Sequence, residues 1–426
     1  MPVPILVIIL AVIAPFGFAG GLYLWGQVGD VPWIAVDFFP DDEFSPEPVS
    51  SPTTDTEAPV ERLDALPSPL AAQDRPELRG PDIPAGYTVV RWAEGLERPT
   101  QVDFAPDGTL FVAQQWAGEI RLVREGVVLD QPRIRIATEE ELRGSNPPAS
   151  GERGLVGLAL HPDFARNGVL YAYANLGETP DSAVATNSLF RVVMDGDTVE
   201  EVTRALDFVP ASRTNSHNGG GMAFGPDGSL YIGIGDGGEQ PREGNPAQDP
   251  NDPRGKVLRV FLDEGGNPTD WEVYASGFRN PYGLTFNLLS NELLATENGP
   301  LNTDELNVVM PRGNHGWPLF LGKVGEPGYA DPAITWTPVI VPTGLVFYQG
   351  PMTFLANDLL MCSFGGDRVL HWIRFPLAGQ FLGAPEFDRE LARGCATDVV
   401  VGPDGLIYTV DLLEGVINRV GPAPEE

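Results

Sequence analysis

Apolar and polar residues alternate in short runs along most of this chain, and no window sustains a 3.6-residue period. Alternation with period two is the mark of a half-buried β-strand. Six segments repeat one phrasing: an apolar stretch, a turn rich in Pro, Asp, Asn and Gly, then a second alternating run. They are VDFAPDGTLFVAQQ from Val102, LALHPDFARNGVLYAYAN from Leu158, MAFGPDGSLYIGIGD from Met222, LTFNLLSNELLATEN from Leu284, MTFLANDLLMCSF from Met352 and VVVGPDGLIYTVD from Val399. Proline presets φ and glycine accepts positive φ, so each copy is predicted to be a hairpin. The copies lie roughly 45–70 residues apart, the length of one four-stranded blade with its loops. Six copies predict an all-β, six-bladed β-propeller of four-stranded blades over residues 86–422. The loops before each innermost strand then converge on one mouth of the central channel, and chemistry is expected there.

The pattern changes at the N-terminus. Val3 to Trp25 carries no charge and, at 1.5 Å per residue, is long enough to cross a hydrocarbon core of about 30 Å. Residues 1–27 read as a transmembrane helix or a signal segment. The uncleaved anchor is favoured because the run exceeds an h-region of roughly 7–15 residues and no A-x-A-like site follows it. Residues 28–85 are rich in Pro, Ser, Thr, Asp and Glu, with too little apolar content to offset the entropy of ordering, and read as a disordered acidic tether. Lys and Arg give no orientation, since the first after the span is Arg62. The acidic flank of Asp30, Asp37, Asp41, Asp42 and Glu43 points to the exported side, so an extracytoplasmic location is expected, anchored or, after cleavage, secreted.

Charge narrows the function classes. With 27 Lys+Arg against 59 Asp+Glu the formal charge is -32, a field that repels nucleic acid and anionic lipid. Two cysteines, Cys362 and Cys395, exclude a disulfide framework and a cysteine-based zinc site, and leave room for one bridge.

Four clusters stand at the predicted mouth: GERGLVGLALHPDF from Gly151, SHNGGGMAFGPDG from Ser216 with GDGG from Gly235, GFRNPYGL from Gly277, and ENGPLNTDELN from Glu297 followed by GNHGWP. His217 precedes a glycine triplet, so its imidazole can project into the channel as a base; the alternative is a surface histidine beside a flexible loop. Asp236 is placed to orient that imidazole, or is an ordinary turn aspartate. Arg279, with Asn280, offers a charged donor fork to an oxyanion, or pairs with an interblade acid. Gly299 and Pro300, followed by Asp304 and Glu305, present the hard oxygens that Ca²⁺ prefers.

Taken together and in order, these motifs and KVLRV resemble the signature series of the glucose/sorbosone dehydrogenase family, including soluble quinoprotein glucose dehydrogenases, from about Gly86 to Val420. The resemblance implies a propeller whose channel mouth holds pyrroloquinoline quinone (PQQ) over a calcium ion, with a sugar above it. It implies that His217 is the base that takes the sugar's hydroxyl proton as hydride passes to the quinone. Asp236 would orient that base, and Arg279 and Asn280 would contact the quinone oxygens. The carbonyls of Gly299 and Pro300 would bind Ca²⁺, Glu152 would lie near the substrate and Trp336 near the quinone face. The electron acceptor beyond the quinone and the sugar are not specified; specificity is expected in mouth loops such as Glu239–Arg254.

Four departures stand out. Where the family carries a lysine and two arginines that clamp the quinone carboxylates, this chain has Gly365, Cys395 and Thr397, and Tyr282 replaces a glutamine. Each lost charge-assisted bond is worth roughly 1.5–3 kcal/mol. Cys362 and Cys395 are expected at similar heights on the inner strands of adjacent blades, near the missing clamp, where an oxidising compartment would join them. The retained motifs support an oxidoreductase, and the missing clamp supports the alternative of a non-catalytic tethered propeller that binds a glycan or protein. A calcium-dependent lactonase-like hydrolase would need carboxylates rather than His217 at the metal.

Overall fold

The structure, a computed structural model, describes residues 78–423 apart from 139–151, 178–184, 213–215, 239–243 and 301. The apolar N-terminal segment and most of the acidic tether lie outside the described residues. Among the described residues no helix is long and apolar enough to cross a membrane.

Six antiparallel sheets account for the six repeats. Blade 1 runs Pro99–Phe104, Leu110–Gln114, Glu119–Arg124 and Val127–Val128, with Ile134–Arg135 pairing to its third strand. Blade 2 runs Leu155–Leu160, Val169–Gly177, Ala185–Asp195 and Thr198–Ser212, and blade 3 Met222–Phe224, Leu230–Ile234, Lys256–Leu262 and Pro268–Ser276. Blade 4 follows with Pro281–Phe286, Leu293–Glu297, Asp304–Val309 and Ile334–Trp336, and blade 5 with Pro342–Phe347, Leu359–Ser363, Val369–Arg374 and Phe387–Arg393. Blade 6 is Asp398–Val401, Ile407–Asp411 and Val416–Pro422, completed by Tyr87–Glu94 from before blade 1. This closure leaves no sheet edge open between the ends of the ring.

Local chemistry makes the hairpins. In Pro106-Asp107-Gly108 the glycine takes φ +89, and the aspartate side chain accepts the N–H of Thr109 at 2.9 Å. The turns at Asp227 and Asp404 repeat that bond, to Ser229 at 3.1 Å and Leu406 at 3.0 Å. Alternation then sorts the side chains. Phe111, Ala113, Ile120 and Leu122 face blade 2, whereas Leu110, Val112 and Val123 pack with Tyr408, Val410 and Ile417 of blade 6.

The fifth repeat departs from the expected register. The first strand of blade 5 is Pro342–Phe347, not the run from Met352, and Thr353–Leu355 forms a 3₁₀ turn between the first two strands. No Pro-Asp-Gly turn exists there. Met352 and Leu355 are buried, and Phe354 packs its edge on Tyr87 at 4.9 Å, so these apolar residues plug the interblade gap instead of building a strand.

The first strands line the channel edge to edge. Gly157, Gly221, Gly283 and Gly344 occupy the same place on blades 2–5, and a Cβ on Gly283 would lie 2.2 Å from the carbonyl of Thr343. Gln101 and Asp398 take that place on blades 1 and 6 and reach across: Gln101 Oε1 accepts the N–H of Leu158 and Asp398 Oδ2 that of Val102, both at 2.9 Å. All six first strands contribute to the lining of a cavity of about 270 Å³ in the channel. Burial there pushes the carboxyl of Asp398 up to about 7 and that of Asp103 up to about 6, although backbone N–H groups oppose both shifts.

Candidate active site

His217 stands just before the first strand of blade 3, with φ +54, a left-handed conformation that a histidine adopts only when its surroundings hold it there. Three contacts do so. The carboxylate of Glu152 accepts its N–H at 2.6 Å, its carbonyl accepts the N–H of Gly237 at 3.1 Å, and its Nδ1 lies 2.6 Å from Asp236 Oδ1. Gly235 must be glycine, since a Cβ would fall 2.0 Å from the His217 carbonyl oxygen. Asp236 is fully buried at the end of the second strand, where Oδ1 also accepts the N–H of Gly238 at 2.8 Å. A carboxylate at Nδ1 places the proton on that nitrogen and leaves Nε2 as the free base.

Trp317 completes this arrangement. Its indole N–H donates to Asp236 Oδ2 at 2.9 Å, so both carboxylate oxygens are engaged, and Arg279 lies 5.6 Å from its ring centroid. In the sequence, GNHGWP gives Trp317 no role of its own. The signal was an indole beside a histidine-bearing loop, but that loop lies far along the chain from Asp236. His315 of the same motif is buried and stacked 4.5 Å from Phe278, and burial lowers its pKa to about 4. It is a neutral core residue.

Arg279 and Asn280 sit between blades 3 and 4. Both backbone N–H groups donate to Glu297 Oε1, at 2.9 and 2.7 Å. Asn280 Oδ1 accepts the N–H of Gly219 at 2.9 Å, and its amide donates to Glu152 at 3.3 Å. His217, Asp236, Glu152, Arg279 and Asn280 therefore form one bonded cluster. Arg279 Nη1 donates to the carbonyls of Asn298, at 2.6 Å, and Gly299, at 3.0 Å, while Asp304 accepts the N–H of Gly299 at 2.9 Å. The Pro300 carbonyl accepts the N–H of Thr303 at 3.0 Å. Burial holds the Glu297 carboxyl well above the usual range, Glu305 adds to the shift, and the N–H groups and Arg279 oppose it. Among the described residues, no three His, Cys, Asp or Glu side chains converge as a metal site.

Burial raises the phenol pKa of Tyr282, Asp398 and Glu152 add to the shift, and Arg98 opposes it. That places Tyr282 of blade 4 within electrostatic reach of blades 6, 2 and 1. Arg98, unassigned from sequence, has its guanidinium 3.7 Å over the Trp116 ring and its Nε bonded to Gln115 at 2.9 Å. Trp336 lies on the outermost strand of blade 4, its indole donating to Asp388 at 2.9 Å beside His371, with no hydrogen bond to the His217 cluster.

A disulfide joins Cys362 to Cys395, with Cα atoms 5.0 Å apart. Cys362 is on the second strand of blade 5, and Cys395 is in the loop entering blade 6 rather than on a strand. Gly365 has no room for a lysine on this backbone, as a Cβ would lie 2.6 Å from the Ile340 carbonyl oxygen. Thr397 donates to the Pro99 carbonyl at 3.1 Å.

The chain is similar to known proteins. Aldose sugar dehydrogenase YliI of Escherichia coli K12 is 26% identical over 382 residues, 80% of this chain and 94% of that protein. Quinoprotein glucose dehydrogenase B of Acinetobacter calcoaceticus is 29% identical over 263 residues, 55% of this chain and 53% of that one. The PQQ-bound aldose sugar dehydrogenase of Streptomyces coelicolor superposes with a TM-score of 0.61 at 27% identity, covering 79% of this chain and 99% of that one. The model of the glucose/sorbosone dehydrogenase family matches residues 96–416, and the chain belongs to that family.

Proposed function

We propose that this protein oxidises a CH–OH group of an aldose or related sugar at PQQ, with His217 as general base. The observation that carries this is the His217–Asp236–Trp317 relay: Nδ1 is held by Asp236, Asp236 by Trp317, and Nε2 is left to take the hydroxyl proton. When bound, the quinone supplies the acceptor for the electron pair and hydrogen that leave the sugar carbon. The chain's own groups do the rest. Arg279 presents a charged donor to an acceptor oxygen, Asn280 is fixed by two bonds at the same wall, and Glu152 ties the His217 backbone to Asn280.

The residues present fit both cofactors. Glu297 Oε2 and Asn298 Oδ1 are buried without a partner beside Gly299, an oxygen-rich setting in which the Gly299 and Pro300 carbonyls would hold Ca²⁺. Arg98, stacked over Trp116, would supply a cation for a quinone carboxylate. An extracytoplasmic location belongs to the same proposal; the disulfide supports it, as such bonds persist in oxidising compartments.

The closed site at Gly365 favours a second reading, a propeller that binds a glycan or protein without chemistry. Titrating the purified protein with PQQ and Ca²⁺, followed by dye reduction with a panel of aldoses, separates the two. Saturable quinone binding with sugar-dependent reduction supports the dehydrogenase. No binding at micromolar PQQ would sink it and leave the second reading.

A further inference from the structure

Blade 1 carries a second polar cavity, about 350 Å³, lined by Glu97, Gln114, Glu119, Arg121, Arg133 and Arg135 among others. The strand register builds it. Gln114 pairs with Glu119 and Glu119 with Arg135, while Arg121 lies two residues beyond Glu119, so these side chains leave one face of the sheet. That face looks towards the connection through Gly95 and Glu97 that enters blade 1 from the closing strand. The end of a second strand and the start of a third lie on the side of the propeller where His217 stands.

Two of the three guanidinium groups here contact one carboxylate. Arg135 Nη2 donates to Glu119 Oε1 at 2.5 Å, and Arg133 Nη1 is 3.6 Å from Oε2. Arg121 touches no acid. Its Nη2 donates to the Leu129 carbonyl at 2.5 Å, and its Nε is buried without a partner in a side chain only 8% exposed. Burial lowers its pKa and the neighbouring charge of Arg133 lowers it further, whereas Glu119 and Asp130 oppose. Even with Glu97 at the rim, the cavity holds more positive than negative side chains in a chain of formal charge -32. Planar guanidinium forks match carboxylate and phosphate oxygens, and a buried donor without an acceptor is costly.

We propose that this cavity is an anion site that takes a small carboxylate- or phosphate-bearing molecule between Arg121, Arg133 and Arg135. The bound oxyanion meets the unmatched Nε of Arg121 and screens its repulsion with Arg133. None of the three arginines hydrogen-bonds to the His217 cluster, so occupancy of the cavity stands or falls apart from the dehydrogenase reading.

Calorimetric titration of the full chain with sodium phosphate and with sodium gluconate, against sodium chloride at matched ionic strength, tests it. Saturable binding of either anion is expected, and which one binds sorts phosphate from carboxylate. Arg133→Ser with Arg135→Ser should weaken it about tenfold or more, the effect of losing one charge-assisted bond. Glu119→Gln removes the internal competitor and should tighten it; this variant decides if the double serine variant does not fold. No saturable heat above the chloride control, or binding that neither variant changes, overturns the proposal.

Discussion

Replacing Trp317 by phenylalanine keeps an aromatic ring under Arg279 and removes one N–H. That N–H reaches Asp236 Oδ2 at 2.9 Å, where the other donor, the Asn245 amide, is 3.5 Å away. Asp236 is fully buried and Trp317 is 6% exposed, so solvent cannot replace the lost bond. A hydrogen bond to a charged group is worth about 1.5–3 kcal/mol, and the smaller ring leaves a cavity worth about 1 kcal/mol more, so Trp317→Phe should destabilise the propeller by about 2.5–4 kcal/mol. Function should suffer separately. With Oδ2 released the carboxylate can turn, His217 loses its fixed direction, and a misplacement of that kind costs up to about a hundredfold in kcat. Urea unfolding gives the first quantity and dye-linked turnover with saturating PQQ and Ca²⁺ the second. A variant with wild-type unfolding and wild-type kcat would refute the idea that Trp317 holds the acid behind the base.

Substituting His217→Ala should abolish turnover and, by removing the bond to buried Asp236, should cost about 1.5–3 kcal/mol of stability, while the backbone N–H and carbonyl contacts of residue 217 keep the propeller folded; a folded variant that still turns over excludes His217 as the base. Reducing Cys362–Cys395, or replacing both cysteines by serine, frees a loop of sequence separation 33 and should cost about 3–4 kcal/mol by loop entropy. Equal urea midpoints for the oxidised and reduced protein would contradict that. Asp398 and Asp103 hold protons more tightly folded than unfolded, so their contribution to stability is full below about pH 4 and is lost as pH rises through about 6 and 7. The shift of Asp398 from 3.8 to about 7 corresponds to about 4 kcal/mol. Asp398→Asn should flatten the stability profile between pH 5 and 8, and an unchanged slope would exclude this carboxyl as its source.

The fold was legible wherever local chemistry repeats. Pro-Asp-Gly turns and alternating flanks mark Val102, Met222 and Val399 because the same short-range rules make each hairpin. Blade 5 was misregistered because its first turn lacks that signature and Met352, Phe354 and Leu355 imitate a strand while plugging a gap. The strand Tyr87–Glu94 could not be assigned to blade 6, as pairing Tyr87 with Pro422 depends on closure of the whole ring. At the site, His217 and Asp236 belong to one hairpin and were readable as a pair. Trp317 and Glu297 reach it from blade 4, and no local pattern links them to His217.

The same distinction decides how the missing carboxylate clamp should be understood. Gly365, Cys395 and Thr397 lie along the seam from blade 5 through blade 6 to blade 1, and each is committed elsewhere. Gly365 is closed off by the Ile340 carbonyl, Cys395 is bonded to Cys362, and Thr397 donates to Pro99. Restoring a cation at these places would break packing that the chain has built. Arg98 immediately precedes Pro99, on blade 1, and is braced by Trp116 and Gln115 rather than spent on a carboxylate. If PQQ binds at this mouth, the charge that meets its carboxylates therefore comes from blade 1 instead of blades 5 and 6. Arg98→Gln, which keeps an amide near Gln115 and removes the charge, should weaken PQQ binding about tenfold or more, as expected for one charge-assisted bond. Titration of the quinone absorbance with Ca²⁺ present measures this directly, alongside unfolding curves to confirm that the variant is intact. Quinone affinity equal to that of the unsubstituted protein would mean that Arg98 does not face the cofactor and that its carboxylates lie free in solvent.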